Sequence, residues 1–459
     1  MKRFTQYGLF SSLLLASQLV LAAFSIPDYE KYTMDNGLDV YLMRQDEVPL
    51  VDVLVAVKAG SVQDGAQYGL AEFTAEALKF GAAGKSKIQL EDEIAFYGAD
   101  FGGGAGTEVT TLSMSYAKKD GDVMLPLLAD MLLRPDFDQA EIDKYQKRLG
   151  ALLKQNRESP RAMMGDLLNH LYYGNHPYAN PASGNEKTVA AMTRDDIKGF
   201  YRDYFKPDNA AIIVVGDIEP KAMKAKLTKY FSTWSGKAKA KQAVATVDVP
   251  KTARVLLVNK GDAKETRFVI GGPGIALGDE NEVPLSVINT ILGGRFTSWL
   301  NDELRVNSGL TYGARSRFDK ESKAGLFRIS TFTKTETTFE ALDLALKTYQ
   351  RLWEQGIDQK TLDSAKAYVK GLFPPRFETS SQLASLLGSM WAFDLGDEMI
   401  NDFEAKVGAL DVALANQLAK KQFPRDKLQF VLIGKADDIR EKAKQYGEVI
   451  EVDIKDFYH

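Results

Sequence analysis

The sequence contains no cysteine, which excludes disulfide bonds, thiolate metal sites and a cysteine nucleophile. Histidine is nearly as scarce, because His170, His176 and His459 are the only ones in 459 residues. No two of them stand four positions apart, the spacing at which one helix presents two imidazole ligands to zinc. We therefore expect no histidine-based zinc site within this chain.

A basic excess and a long hydrophobic segment are also missing. The formal net charge of −4 argues against a nucleic-acid-binding protein, and lysine and arginine are scattered along the chain rather than clustered. An apolar content of 45% and a charged content of 26% are typical of a globular protein. A chain of 459 residues predicts two or more domains.

A short apolar run lies close to the N-terminus, over residues 9–23, and basic residues precede it. The run is shorter than the ~20 residues that a membrane span needs. We interpret residues 1–23 as a secretory signal with a cleavage site after Ala22 or Ala23, and a retained membrane anchor is the alternative. An exported chain without cysteine is expected in a bacterial periplasm, with no stable membrane span after cleavage.

The rest of the chain repeats itself. Residues 205–216 and 423–434 have the same length, lie 218 positions apart, and each contains an apolar strand that ends at a glycine. Strands and helices are mixed in both halves. The sequence therefore predicts an α+β protein with two homologous domains, residues 24–234 and 251–459. Residues 235–250 are small, basic and weakly patterned, and we interpret them as the linker.

A predicted helix over residues 69–80 is the part of the chain that bears most directly on function. Its apolar stripe recurs at helical spacing and comprises Leu70, Phe73, Ala77 and Phe80. Glu72 and Glu76 project from one face of this helix. Paired carboxylates suit calcium or magnesium only where several more oxygens are supplied. The alternative is a solvated face on which Glu76 pairs with Lys79.

A glycine-rich stretch, residues 102–106, leads into a predicted strand over residues 109–116. Glycines at such a place mark a bend or allow another backbone to come close. One interpretation is a simple turn. The other is a sheet edge, including residues 102–105, that accepts an extended peptide as an added strand.

Four segments together resemble the pitrilysin-like (insulinase-like) zinc peptidases, the family that includes mitochondrial processing peptidase. Three of them, AGSVQDGAQYGLAEF, HPYANP and FYRDYFKPDNAAIIVVGDI, resemble the N-terminal half of such enzymes. The fourth, INTILGGRFTSWLNDELRVNSGLTYGARSRF, resembles the C-terminal half. The resemblance covers nearly all of the chain after the signal and implies two domains of the processing-peptidase type joined by a linker.

In active members of that family the helix carries a His-x-x-Glu-His motif, with two zinc ligands and a general base. The matching positions in this chain are Glu72, Ala75 and Glu76. The family's third ligand, a glutamate, falls near residues 149–153, where this chain has no carboxylate before Glu158. The resemblance therefore implies a chain that holds no metal and no catalytic residue and does not hydrolyse peptides alone.

The same resemblance implies a retained substrate site in the C-terminal half. An arginine and a tyrosine that contact substrate in the family match Arg305 and Tyr312. Arginine offers five hydrogen-bond donors in a fixed plane and tyrosine offers one, so both suit peptide carbonyls. The alternative for this pair is an exposed arginine at a helix end and a half-buried strand tyrosine.

Some bacterial members of the family divide the work between two chains. We therefore expect a non-catalytic subunit of a heterodimeric zinc metallopeptidase that binds peptide, with zinc in a homologous partner that carries an intact motif. The rival hypothesis is a scaffold or binding protein of the same family with no part in hydrolysis. An active peptidase with unusual ligands is a third possibility.

Overall fold

The chain forms two β-sheets of six strands each in the computed structural model, which describes residues 24–241 and 244–457. The predicted signal, residues 1–23, lies outside the described residues. The strands of the first sheet are β1 Glu30–Thr33, β2 Asp39–Arg44, β3 Leu50–Val57, β4 Asp100–Ala105, β5 Thr110–Ala117 and β6 Ala210–Gly216. Their order is β1-β2-β6-β3-β5-β4, so β4 is an edge strand.

The second sheet repeats this arrangement in the order β12-β7-β11-β8-β10-β9. Its strands are β7 Arg254–Asn259, β8 Glu265–Pro273, β9 Arg315–Lys320, β10 Gly325–Lys334, β11 Gln429–Gly434 and β12 Glu448–Asp453. The centre of both sheets is the same: a parallel pair, β2–β6 or β7–β11, continues into three antiparallel strands. The repeat that the sequence predicts is therefore confirmed, because β6 and β11 occupy equivalent places.

Helices cover both sheets. Those of the N-terminal half are α1 Leu70–Ala77, α2 Lys87–Phe96, α3 Gly121–Leu133, α4 Gln139–Arg157, α5 Pro160–Tyr173, α6 Glu186–Ala191, α7 Arg194–Tyr204 and α8 Pro220–Phe231. Those of the C-terminal half are α9 Glu282–Asn289, α10 Trp299–Asn301, α11 Thr338–Glu354, α12 Gln359–Gly371, α13 Ser380–Ala392, α14 Glu398–Asn401, α15 Phe403–Ala409, α16 Val412–Gln422 and α17 Ala436–Ala443. Both halves mix helices and strands, so the α+β class is confirmed.

The two halves exchange a helix. α5 of the N-terminal half packs on β8 and β11, whereas α13 of the C-terminal half packs on β3 and β6. Glycines allow both contacts, because a Cβ on Gly271 would lie 2.7 Å from Leu168 and one on Gly388 would lie 2.5 Å from Leu54. Each sheet is therefore covered by a helix from the other half, and the two cores are built from both.

The segment between the halves has no helix or strand at residues 235–241 and 244–250. No helix within the described ranges is long and apolar enough to cross a membrane.

Candidate functional site

The helix α1 is fixed at its start by an aspartate and by a close approach of two backbones. The carboxylate of Asp64 accepts hydrogen bonds from the backbone N–H groups of Gly69 and Ala71, both at 2.8 Å. Gly69 has a φ of 90°, and a Cβ there would lie 2.8 Å from the backbone of Gly184. Only glycine fits this position without strain, so the entry angle of α1 is set by the backbone itself.

The predicted apolar stripe of this helix is confirmed. Leu70, Phe73, Ala77 and Phe80 are all buried, with 7% exposure at most. The helix itself ends at Ala77, so Phe80 lies just beyond it. Burial of the stripe turns the positions of Glu72 and Glu76 toward the neighbouring strand β4 and helix α4.

Glu72 serves as a hydrogen-bond partner of the edge strand. Its Oε2 accepts from the backbone N–H of Ala105 at 2.6 Å. A Cβ on Gly104 would lie 2.9 Å from the same carboxylate oxygen, which explains a glycine at this place. Burial, followed by the nearby charge of Glu76, raises the pKa of Glu72, and the Ala105 N–H opposes that rise.

Glu76 lies between two cations. Its carboxylate forms ion pairs with Lys79 at 2.9 Å and with Arg148 at 3.5 Å. The predicted Glu76–Lys79 pair is therefore present. Arg148 belongs to α4, next to the window at residues 149–153 in which the third ligand of the family would fall, and its guanidinium lies 5.1 Å from the ring of Tyr145. A positive side chain of α4 thus lies beside α1, next to the window in which the family resemblance places the third ligand.

These residues do not fit a zinc ion. Ala75 is 3% exposed and carries no donor atom, Glu72 is engaged by a backbone N–H, and Glu76 is engaged by two cations. Within residues 24–241 and 244–457, no group of three or more His, Cys, Asp or Glu side chains could hold a metal ion. The side chains around α1 therefore stabilise the fold and do not supply a ligand set for zinc.

Arg305 and Tyr312 come together in the C-terminal half. Arg305 lies on a π-helical turn, Asp302–Asn307, that continues α10, and Tyr312 lies in the loop before β9. The Arg305 guanidinium is 5.2 Å from the centre of the Tyr312 ring and 4.6 Å from that of Phe296. The guanidinium is therefore in contact distance of two aromatic rings.

Phe296 was not predicted from the sequence. Its side chain is 65% exposed and that of Tyr312 is 79% exposed, both unusual for large aromatic residues. We name Phe296, Arg305 and Tyr312 the aromatic–arginine site. The local signal is the segment GGRFTSWLN, in which paired glycines precede an aromatic residue, but nothing in the spacing indicates that its ring meets Arg305.

A buried amide holds the aromatic–arginine site together. Asn301 Oδ1 accepts from the backbone N–H of Ala314 at 2.9 Å, and its Nδ2 donates to the carbonyl of Arg295 at 3.3 Å. These two bonds join the segment that carries Phe296 to the loop that carries Tyr312. Thr331 on β10 adds a bond from its hydroxyl to the carbonyl of Gly313, at 2.9 Å. These hydrogen bonds fix the backbone segments that carry the rings of Phe296 and Tyr312.

The hydrogen-bonding groups of this site have no partner in the part of the protein that the structure describes. Across the two ranges that the structure describes, no acceptor takes a hydrogen bond from the Arg305 guanidinium and none from the Tyr312 hydroxyl. Neither group is buried, so water satisfies them in the free protein. The site consequently offers up to six donors, beside exposed rings, to an incoming ligand.

Polar contacts between two hairpin turns join the N-terminal half to the C-terminal half. Glu108, after β4, accepts from the backbone N–H of Ser322 at 2.9 Å, and the hydroxyl of Thr107 donates to Glu321 at 2.9 Å. Tyr178 of the HPYANP loop donates to Glu108 at 2.9 Å and accepts from the N–H of Lys323 at 3.2 Å. The loop therefore has a structural place at the junction of the halves.

The glycine-rich stretch forms strand β4, whose one sheet neighbour is β5. A Cβ on Gly103 would lie 2.5 Å from the carbonyl of Thr111, so this glycine permits close approach within the sheet. Its free edge is the geometry that the second interpretation of the sequence expects. No second strand of the described chain pairs with β4, although the backbone N–H of Ala105 at its end is already taken by Glu72.

The structure has two related α+β halves, a helix α1 with Glu72, Ala75 and Glu76 at the zinc-motif positions, and an open aromatic–arginine site. Together these features define the class: a protein of zinc-peptidase architecture without the metal ligands. Comparison with known proteins agrees. The family model described as insulinase (peptidase family M16) matches residues 40–186, and that described as peptidase M16 inactive domain matches residues 191–369. The chain belongs to peptidase family M16.

Two bacterial proteins are similar in sequence to this chain over most of its length. An uncharacterized zinc protease, YmxG, from Bacillus subtilis is 25% identical over 402 residues, which is 86% of this chain and 96% of that protein. A non-peptidase homolog, also named YmxG, from Helicobacter pylori is 27% identical over 332 residues, or 70% of this chain and 74% of its own length. One of these relatives is thus named a protease and the other is not.

Solved structures share the fold. The crystal structure of a peptidase M16 inactive domain from Pseudomonas fluorescens superposes with a TM-score of 0.83 at 25% identity, and covers 89% of this chain and 98% of that one. A protease from Helicobacter pylori superposes with a TM-score of 0.80 at 21% identity, over 89% of this chain and 99% of its own. The second likeness shows the fold alone.

Proposed function

We propose that this chain is an exported, catalytically incompetent subunit of a heterodimeric zinc metallopeptidase, in which it binds and orients peptide for a zinc-carrying homologous partner. One observation carries the proposal. The motif helix has its carboxylates engaged by its own chain, whereas the aromatic–arginine site keeps its donors and rings open to solvent. The name of the Helicobacter pylori relative, a non-peptidase homolog, supports the catalytic part.

The chemistry of the aromatic–arginine site suits a peptide backbone. Arg305 donates in a fixed plane to one or two carbonyl oxygens, and the Tyr312 hydroxyl donates to a third. The ring of Phe296 covers the guanidinium on one side and provides an apolar surface for a substrate side chain. Because Asn301 frames both segments, the geometry is set before the ligand arrives, which lowers the entropic cost of binding.

The metal belongs to the partner in this proposal. The general base and the zinc-bound water of a metallopeptidase require ligands that this chain lacks. Its own contribution is positioning: a substrate held by Arg305 and Tyr312 approaches the partner's metal in a fixed orientation. The open edge of β4 supports a second contact, in which the peptide backbone adds to the sheet.

Fluorescence anisotropy with a short labelled peptide and the purified chain tests the binding role. We expect Arg305→Ala, Tyr312→Ala and Phe296→Ala each to weaken binding by about 10-fold, the worth of one charged or aromatic contact. Arg202→Ala is the control, because Arg202 is an exposed arginine of the N-terminal half that forms its ion pair with the adjacent Asp203. Binding that is absent in the parent chain, or unchanged in all three variants, favours the scaffold hypothesis instead.

A further inference from the structure

The first described residues of the chain dock on the C-terminal half. The backbone nitrogen of Phe24 lies 3.3 Å from Glu404 Oε1 on α15, and that of Ile26 donates to Asn401 Oδ1 at 2.9 Å. The hydroxyl of Tyr29 donates to Asp397 at 2.7 Å. Three contacts within six residues hold this segment against helices that lie more than 360 positions away in sequence.

Phe24 also fills an aromatic cluster. Its ring stacks on Phe377 with centroids 5.2 Å apart and meets the edge of Phe373 at 5.9 Å. Phe373 in turn stacks on Phe403, and both are buried. The ring therefore fixes where the backbone nitrogen of Phe24 stands relative to α15.

Glu404 lacks a cation in the described structure. None of the lysines and arginines of residues 24–241 and 244–457 forms an ion pair with it, and its hydrogen bond is the one from Phe24. A half-buried carboxylate next to a neutral amide is stabilised less than one next to a positive charge. A chain that began at Phe24 would place an α-ammonium group at this position.

We propose that the chain is cleaved between Ala23 and Phe24 and that the new α-ammonium group of Phe24 becomes the ion-pair partner of Glu404. The inference rests on the proposed export of the chain but not on its role with peptides. Water adds across the peptide bond under a peptidase of the export machinery: the leaving segment takes the new carboxylate on Ala23, and Phe24 keeps the protonated amine. Sequence alone leaves cleavage after Ala22 or Ala23 open, and the position of Glu404 selects the second.

Cleavage then creates an ion pair within the chain, between the Phe24 α-ammonium and Glu404, in addition to removing a segment. The ammonium has three donors, so one can reach Glu404 while the others remain in water. The ion pair, the Phe24 ring and the bonds of Ile26 and Tyr29 together tie the N-terminal segment to α14 and α15. An uncleaved chain, or one cut a residue earlier, keeps the ring but lacks the charge at Glu404.

Intact-mass analysis of the full-length chain after expression with its own N-terminus in a Gram-negative host is the first test. The mass expected is that of a chain starting at Phe24. A chain starting at Ala23 would overturn the assigned bond while leaving export in place. A chain that retains Met1 would overturn the cleavage and leave export with a retained anchor as the alternative, and the peptide-binding assay would still decide the other part of the proposed function.

A second test asks whether Glu404 senses the new terminus. Thermal unfolding is compared between Glu404→Gln and its parent, in the chain that starts at Phe24 and in one extended by two alanines. We expect Glu404→Gln to lower the midpoint by about 1 to 2 °C in the first background and by less in the second. Asp402→Asn, which removes a charge from the exposed residue just before α15, is the control. Equal shifts in both backgrounds would overturn the ion pair.

Discussion

The motif helix and the aromatic–arginine site differ in what their polar groups contact. In the N-terminal half, Glu72 is used by a backbone N–H and Glu76 by Lys79 and Arg148. In the C-terminal half, Arg305 faces two exposed rings and contacts no acceptor of the described chain. Polar groups whose partners lie within the chain stabilise the fold, and those without such partners are available to a ligand.

A peptidase fold can thus lose its chemistry without losing its shape. The two carboxylates of α1 make contacts within the chain instead. Glu72 accepts a hydrogen bond from the edge strand β4, and Glu76 forms an ion pair with Arg148 of α4. The helix, its cap at Asp64 and its buried stripe are otherwise intact. The groups that we propose to bind peptide lie in the other half.

The largest expected effect concerns Arg305. In a mixture with a homologue from the same genome that carries an intact motif, Arg305→Ala should lower peptide turnover about 100-fold, as the loss of a preorganised donor does in other enzymes. Turnover of a quenched fluorescent peptide is the measurement. Turnover with Arg305→Lys, which keeps the charge but not the planar guanidinium, should lie between that of the parent chain and that of Arg305→Ala. Full turnover with Arg305→Ala would mean that the aromatic–arginine site is no more involved in function than the carboxylates of α1.

The next effect concerns the contacts that join the halves. Burial first, and then the carboxylates of Glu108 and Asp319, raise the pKa of Glu321 from 4.5 to about 7, while the Thr107 hydroxyl opposes the rise. Because the folded pKa lies above the unfolded one, protonated Glu321 stabilises the fold at low pH. The free energy of unfolding should therefore fall by about 2 kcal/mol as the pH rises from about 4.5 to about 7.

Urea unfolding at several pH values measures this slope, and Glu321→Gln should flatten it over the same window. Glu340→Gln, an exposed acid on α11, is the control and should leave the slope as it is. A slope that is unchanged in the Glu321 variant would mean that the junction is not titrated by this carboxylate.

A smaller effect is expected at Glu72. Glu72→Ala leaves the N–H of Ala105 without its acceptor and should lower the free energy of unfolding by about 1 kcal/mol. Peptide affinity, measured by anisotropy, should change little if the carboxylate is structural. A stable variant that loses peptide binding would instead place Glu72 in the binding surface, and the contrast between the two regions would no longer hold.

The smallest effect is expected at Lys79. Its ion pair with Glu76 is partly exposed, and Arg148 still neutralises Glu76 after Lys79→Ala. We expect a change below about 0.5 kcal/mol in the free energy of unfolding, measured in urea. A loss several times larger would show that the charge cluster stabilises the motif helix more than its exposure suggests.

Much of the fold follows from sequence pattern. The strands predicted at residues 109–116 and within residues 205–216 correspond to β5 and β6, and the helix predicted over residues 69–80 corresponds to α1. The helix exchange between the halves could not be predicted in this way. Periodicity shows that α5 and α13 each have an apolar face, but it does not say which sheet that face covers.

The candidate site was predicted in part. The positions Glu72, Ala75 and Glu76, and the pair Arg305 and Tyr312, were identified through the family resemblance, and the structure brings the latter pair within 5.2 Å. Arg148 and Phe296 were not predicted. Their contacts depend on how α4 crosses α1 and on the π-helical turn at Asp302–Asn307, which are tertiary features without a local sequence signature.

Cleavage of a quenched fluorescent peptide tests the central claim most directly: this chain binds substrate but does not cut it. The assay uses the purified chain alone, the motif-carrying homologue alone, and the two mixed, each with and without excess chelator. We expect no cleavage by this chain, and chelator-sensitive cleavage by the mixture above that of the homologue. Chelator-sensitive cleavage by this chain alone would contradict the claim, and a mixture no faster than the homologue would favour a scaffold.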